Sequence, residues 1–197
     1  METKIKIQKE DLLKGAIKII RNKGIESLSA RNLAKIVNCS TQPIFRIFEN
    51  MDDLKSNVYN DVYDIQTRYI KNGETHQVPF IGIGLSYIEF AQKEKNLFKF
   101  LFMSSNSKYN NILDMAENEQ GKKYAELIEK STGLSYESSK QIYINTWLII
   151  HGLASMMATT NCELKKEEIE TIIFDAFKGY RQVLMNKELN NKYKKNN

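Results

Sequence analysis

Apolar residues along this chain recur three and four positions apart instead of alternating, which is the spacing of helices from one end to the other. Between Lys9 and Lys23 the positions Leu12, Leu13, Ala16, Ile17, Ile19 and Ile20 follow that period, and Gly24 stands where a helix stop belongs. Ser29 can cap a short second helix with Leu33, Ile36 and Val37 on its apolar face and Arg31, Asn32 and Lys35 directed elsewhere. Asn38 then occupies a reversal that needs a positive φ, which asparagine tolerates. Ser40 and Thr41 open a third short helix, with Pro43 in its first turn and Ile44, Ile47 and Phe48 as its apolar contacts. Asn50 caps a fourth, where Asp52 and Asp53 suit the helix dipole and Leu54, Val58, Val62, Ile65 and Tyr69 carry the stripe to about Lys71.

The stretch Asn72–Pro79 is the clearest break, with Asn-Gly and a later proline marking a loop. Beyond it the spacing predicts helices over residues 80–93, 96–103, 111–132, 135–160 and 166–187. The fold class is therefore all-α, with about nine helices and no internal repeat. Composition agrees: two prolines and nine glycines in 197 residues are too few for the many turns of a sandwich or barrel. No apolar run approaches the roughly 20 residues that cross a bilayer, and the N-terminus mixes charge with hydrophobe where a signal peptide would have an apolar core. The expectation is a cytoplasmic protein with no membrane partner. Cys39 and Cys162 form no CxxC and no cluster with histidine, so no disulfide framework, metal site or cofactor is expected.

Charge is unevenly placed. Residues 1–55 hold eleven Lys/Arg against seven Asp/Glu, residues 56–186 are slightly acidic, and residues 187–197 hold four basic residues against one acidic. A basic excess attracts phosphate backbones, and it also simply solvates a surface. The tail lacks apolar periodicity and is expected to fray.

Two short helices joined by a tight turn and flanked by longer ones, over residues 29–48, have the layout of a helix-turn-helix whose second member can enter a major groove. Thr41, Gln42, Pro43 and Arg46 place polar and methyl-contacting groups where base edges would lie. The run Leu28 to Val58, LSARNLAKIVNCSTQPIFRIFENMDDLKSNV, resembles the DNA-binding head of the TetR family of transcriptional regulators. That resemblance implies an all-helical homodimer with a DNA-binding head, placed at residues 1–55, and an effector-binding and dimerisation domain, placed at 56–187; the polar, aperiodic residues 188–197 are expected as a flexible basic tail. It implies Arg31, Thr41, Gln42, Pro43 and Arg46 facing bases, with Ser29, Phe45, Asn50 and Lys55 near phosphates. Phe45 stands where the family usually has tyrosine and cannot donate a hydrogen bond to phosphate; Met51 replaces a common lysine. Leu33, Ala34, Ile44, Phe48 and Leu54 read as the packed core of the head.

In the second half, WLIIHGLASMMA is similar to the Trp-His-Gly segment of one TetR subgroup and reads as a packing seam. Trp147, His151, Gly152 and Ser155, with Phe177 and Tyr180 of the last helix, are the candidate dimer interface, a four-helix bundle with two helices from each subunit. Tyr63, Tyr87, Phe90, Phe98, Phe102, Met115 and Tyr124 are candidates for an effector pocket, although such residues also fill cores. No catalytic site is expected: neither His76 nor His151 has a glutamate three residues earlier, and no GxSxG or phosphate-binding glycine loop occurs. The expected function is a transcriptional repressor released from a pseudo-palindromic DNA operator by a small apolar effector. The alternative is a constitutive DNA-binding or protein-adaptor dimer with no effector.

Overall fold

A computed structural model describes residues 7–104 and 117–195. Among these residues there are nine α-helices and no strand: α1 (Lys9–Lys23), α2 (Ala30–Val37), α3 (Gln42–Ile47), α4 (Met51–Gly73), α5 (Pro79–Lys93), α6 (Lys95–Phe102), α7 (Glu119–Thr132), α8 (Tyr136–Thr159) and α9 (Lys166–Lys195). A 3₁₀ turn at Ile25–Ser27 links α1 to α2. The chain forms two compact units. Of the described residues, the first takes 7–68 and 90–104, and the second takes 69–89 and 117–195. The units thus divide the chain elsewhere than at 55/56: the first five turns of α4 and all of α6 belong with the helix-turn-helix.

Local signals start and stop the helices of the first unit. The Gln8 N–H donates to Asp11 Oδ2 (3.0 Å) at the head of α1, and Gly24 ends that helix at φ 82°. Ser29 Oγ accepts the Asn32 N–H (3.2 Å) to cap α2, and Asn38 closes it in the left-handed region at φ 55°, as its place in the sequence implied. α1 and α2 approach so closely that a Cβ on Gly15 would lie 2.7 Å from Val37 Cγ2 and 3.0 Å from Leu33 Cδ1. Those two side chains fill the contact, which leaves Ile36 at its margin and 48% exposed, contrary to its expected place on the packed face. Leu12, Ala16, Ile20, Leu33, Ile44, Leu54, Val58 and Val62 are fully buried, with Phe48 nearly so. α6 completes this unit. The Arg21 guanidinium pairs with Glu94 (2.8 Å), Asn96 Nδ2 donates to the Arg21 carbonyl (3.0 Å), and Leu97, Phe98, Phe100 and Leu101 are fully buried.

The second unit packs α7 on α8 and α8 on α9. The end of α4 meets α5 through two glycines: a Cβ on Gly73 would sit 2.2 Å from the Gly82 carbonyl oxygen, so two backbones cross where no side chain fits. Phe80 then reaches Tyr143 of α8 and Phe177 of α9, with ring centroids 6.3 and 5.5 Å apart. α9 runs through residues 188–195, well past the expected end at Lys187. Glu188 explains the extension: its Oε1 accepts the Ser135 N–H (3.0 Å) and the Ser135 and Ser138 hydroxyls (2.5 Å each), tying α9 to the first turn of α8. Glu188 therefore acts as a distant cap, and hydrogen bonding holds its carboxyl below the usual carboxylate range.

Candidate nucleic-acid interface

α3 is only six residues long, and its two sides differ completely. Ile44 is fully buried and Phe48, which ends the helix in extended backbone, nearly so. Thr41, Gln42, Phe45 and Arg46 are exposed on the opposite arc, and Pro43 is half-buried at its edge. Helical spacing brings Thr41 beside Phe45 and Gln42 beside Arg46, each pair four residues apart. The Thr41 side chain caps nothing, so its hydroxyl is not consumed locally. Arg31 is exposed on α2, as is Lys35, a basic group that the motif itself does not mark. None of Arg31, Lys35 and Arg46 has an ion-pair partner among the described residues.

The residues expected near phosphates have mixed surroundings. Ser29 is exposed but its hydroxyl is occupied as the α2 cap. Asn50 Oδ1 accepts the Asp52 and Asp53 N–H groups (2.9 Å each), so its carbonyl oxygen starts α4 and only its amide nitrogen remains to donate outward. Lys55 lies against Asp52 at 2.9 Å, an exposed i,i+3 pair of the kind that exchanges its partner at little cost. Phe45 is 51% exposed.

The effector-pocket candidates fall in both units. Tyr63, Phe90, Phe98 and Phe102 belong to the first, where Phe98 lies 6.4 Å from Phe90 and 5.0 Å from Phe102 between ring centroids. Tyr87 and Tyr124 belong to the second. The Tyr87 hydroxyl lies 2.9 Å from His151 Nδ1, and the Tyr124 hydroxyl accepts from Gln120 (2.9 Å) beside Tyr143. Met115 lies outside the described residues. The polar atoms Gln66 Oε1, Ser139 Oγ and Thr146 Oγ1, which sequence reasoning missed, are buried without a hydrogen-bond partner among the described residues. No periodicity rule marks such positions, because a single serine, threonine or glutamine on an apolar face leaves the pattern intact.

Among the dimer candidates, Trp147 stacks on His151 (4.7 Å, 19° between planes) and both rings are half-buried within the second unit. Desolvation lowers the His151 pKa from its ordinary value. Phe177 is occupied by Phe80, Tyr180 and Ser155 are half-buried, and Gly152 is exposed with open space beside its Cα. Large apolar groups that are exposed lie one face over: Leu148 and Met156 beside Gly152 on α8, and Ile172 and Val183 with exposed Gly179 between them on α9. Among the described residues no group of three or more His, Cys, Asp or Glu side chains could hold a metal, and no helix is long and apolar enough to cross a membrane.

No protein-family model matches the chain, and no curated protein resembles it in sequence. A crystal structure from Mesorhizobium loti MAFF303099, of a protein provisionally assigned to the TetR family of transcriptional regulators, superposes with a TM-score of 0.56 at 14% identity, covering 89% of this chain and 95% of that one. The likeness extends over nearly the whole chain and shows that it has the all-helical TetR-like fold.

Proposed function

We propose that the protein is a dimeric, DNA-binding transcriptional regulator that responds to a small effector. The observation that carries this reading is the outward arc of α3, where Thr41, Gln42 and Arg46 stand exposed over a fully buried Ile44, with the exposed basic groups Arg31 and Lys35 on α2. A short helix with a buried back and a polar front, presented beside basic groups, is what a major groove accepts. Arg46 and Gln42 supply bidentate groups for guanine and adenine edges. Arg31 joins them at the bases, and Ser29, Asn50 and Lys55 set the register on phosphates.

Dimerisation places two α3 helices about 34 to 36 Å apart, on successive major grooves of a pseudo-palindromic operator. The exposed faces of α8 and α9 offer the surface, four helices in all, with Gly152 and Ser155 of the original candidates joined by Leu148, Met156, Ile172, Gly179 and Val183. α4 belongs to both units along its length, so an apolar effector held in the second half and shifting that helix changes the spacing of the recognition helices. In this reading, the protein represses while the spacing matches the operator and releases it when the effector alters that spacing.

Selection of bound fragments from random duplex DNA tests the reading. An enriched inverted repeat is expected, and recovery of no sequence preference would overturn it. With the operator in hand, Arg46→Ala is expected to cost about 1–3 kcal/mol in binding and to relax preference at one position per half-site. An equal loss on operator and random duplex would make Arg46 a phosphate contact instead. Fluorescence-monitored release of the operator by a metabolite and drug panel then separates the effector-responsive form from a constitutive one.

A further inference from the structure

We infer that Phe45 is a specificity-determining residue that reads the 5-methyl group of a thymine in the major groove, so that the operator carries a required thymine in each half-site. The inference rests on the DNA-binding reading above and deepens it. Phe45 lies in the middle of the polar arc of α3, with Thr41 four residues before it and Arg46 next to it, and half of its surface is exposed. An aromatic ring left in water at the centre of a recognition face gives up apolar burial that the core could have used. The surrounding groups are cationic or hydrogen-bonding and suit a polyanion: Arg31, Lys35 and Arg46 have no acidic partner among the described residues.

Against that polyanion a phenyl ring has two places to go. At a phosphate it would strip water from a charged oxygen and donate nothing in return. At a base edge it meets the thymine methyl, the apolar group the major groove displays. The chemistry of the side chain therefore points to the base. Burying one methyl corresponds to roughly a fourfold gain in affinity per half-site.

The test uses the full-length protein and the selected operator, with each thymine replaced singly by deoxyuridine, which removes the methyl and leaves pairing intact. Wild-type protein is expected to bind about fourfold more weakly when one such thymine is replaced, and about sixteenfold more weakly when both symmetry-related positions are replaced. Phe45→Ala is expected to bind the thymine and deoxyuridine duplexes equally, while Phe45→Leu keeps part of the difference. Because the ring is exposed, both variants are expected to melt with the wild type, which a thermal scan checks. The inference is overturned if no deoxyuridine substitution weakens wild-type binding, or if the same loss persists in Phe45→Ala. Stronger binding of Phe45→Tyr to operator and random duplex alike would assign the position to phosphate. Failure of the underlying DNA-binding reading has its own signature, the absence of any enriched sequence in the selection.

Discussion

Hydroxyls on the helices show how much a single side chain can reveal. Thr67, Thr132, Thr159 and Thr171 each donate to the carbonyl four residues earlier, the ordinary local solution for a hydroxyl on a helix. Thr146 is fully buried, and its hydroxyl has no hydrogen-bond partner among the described residues. A buried hydroxyl without a hydrogen bond costs about 1–3 kcal/mol, and valine has nearly its shape. Thr146→Val is therefore expected to raise stability by about 1 kcal/mol in urea unfolding; a loss of that size would mean the hydroxyl finds a partner in solution. His151 gives a pH counterpart. Burial depresses its pKa, so the folded protein takes up this proton less readily than the unfolded chain, which titrates near the ordinary value of about 6.5. Below that pH the unfolded state binds the extra proton, so this contribution to stability is complete above about pH 6.5 and declines as pH falls toward the depressed value. Unfolding curves at neutral and mildly acidic pH should show the decline, and His151→Gln should lessen it. An unchanged pH dependence in the variant would remove His151 as its source.

Among the elements, α9 departs most from its sequence pattern. Its last turns are polar, and Glu188, whose three donors lie on residues about fifty positions earlier, holds them. Glu188→Ala is expected to cost about 1–2 kcal/mol by urea unfolding, through loss of the bonds at the start of α8. If its stability matches the wild type, Glu188 does not anchor the extension. The same distinction between local and distant causes explains what could be read in advance. The starts of α2 and α4 and the reversal at Asn38 follow from a capping side chain or a tolerated positive φ within a few residues, and the sequence displays both. The end of α9 and the assignment of α6 to the first unit depend on contacts such as Arg21 with Glu94, which no local pattern encodes. The outward arc of α3 was legible for a related reason: on six residues, burying Ile44 directs Thr41, Gln42, Phe45 and Arg46 the other way. Phe177 and Trp147 were not, because an aromatic residue on a helix suits an interior and an interface equally. Only the structure shows Phe177 against Phe80 and Trp147 against His151.

For the molecule as a whole, the decisive question is what covers the exposed apolar faces of α8 and α9. Leu148 and Met156 flank Gly152, while Ile172 and Val183 flank Gly179; a Cβ at either glycine would meet nothing within 4 Å. Large aliphatic groups around a residue without a side chain let a second pair of helices approach closely, and a two-fold axis through that surface would pair it with itself. Charge placed there tests the idea more sharply than truncation, because it should leave the fold of each subunit alone. Met156→Asp combined with Val183→Asp is expected to convert a dimer to a monomer in sedimentation experiments while the helical circular dichroism is retained. Under the proposed dimeric reading, operator binding should then fall by roughly 10²–10⁴-fold, since each head would bind its half-site without the effective concentration supplied by a twin. A charged variant that still sediments as a dimer would place the subunit contact elsewhere. A wild-type protein that sediments as a monomer would remove the two-fold arrangement on which recognition of a pseudo-palindrome depends.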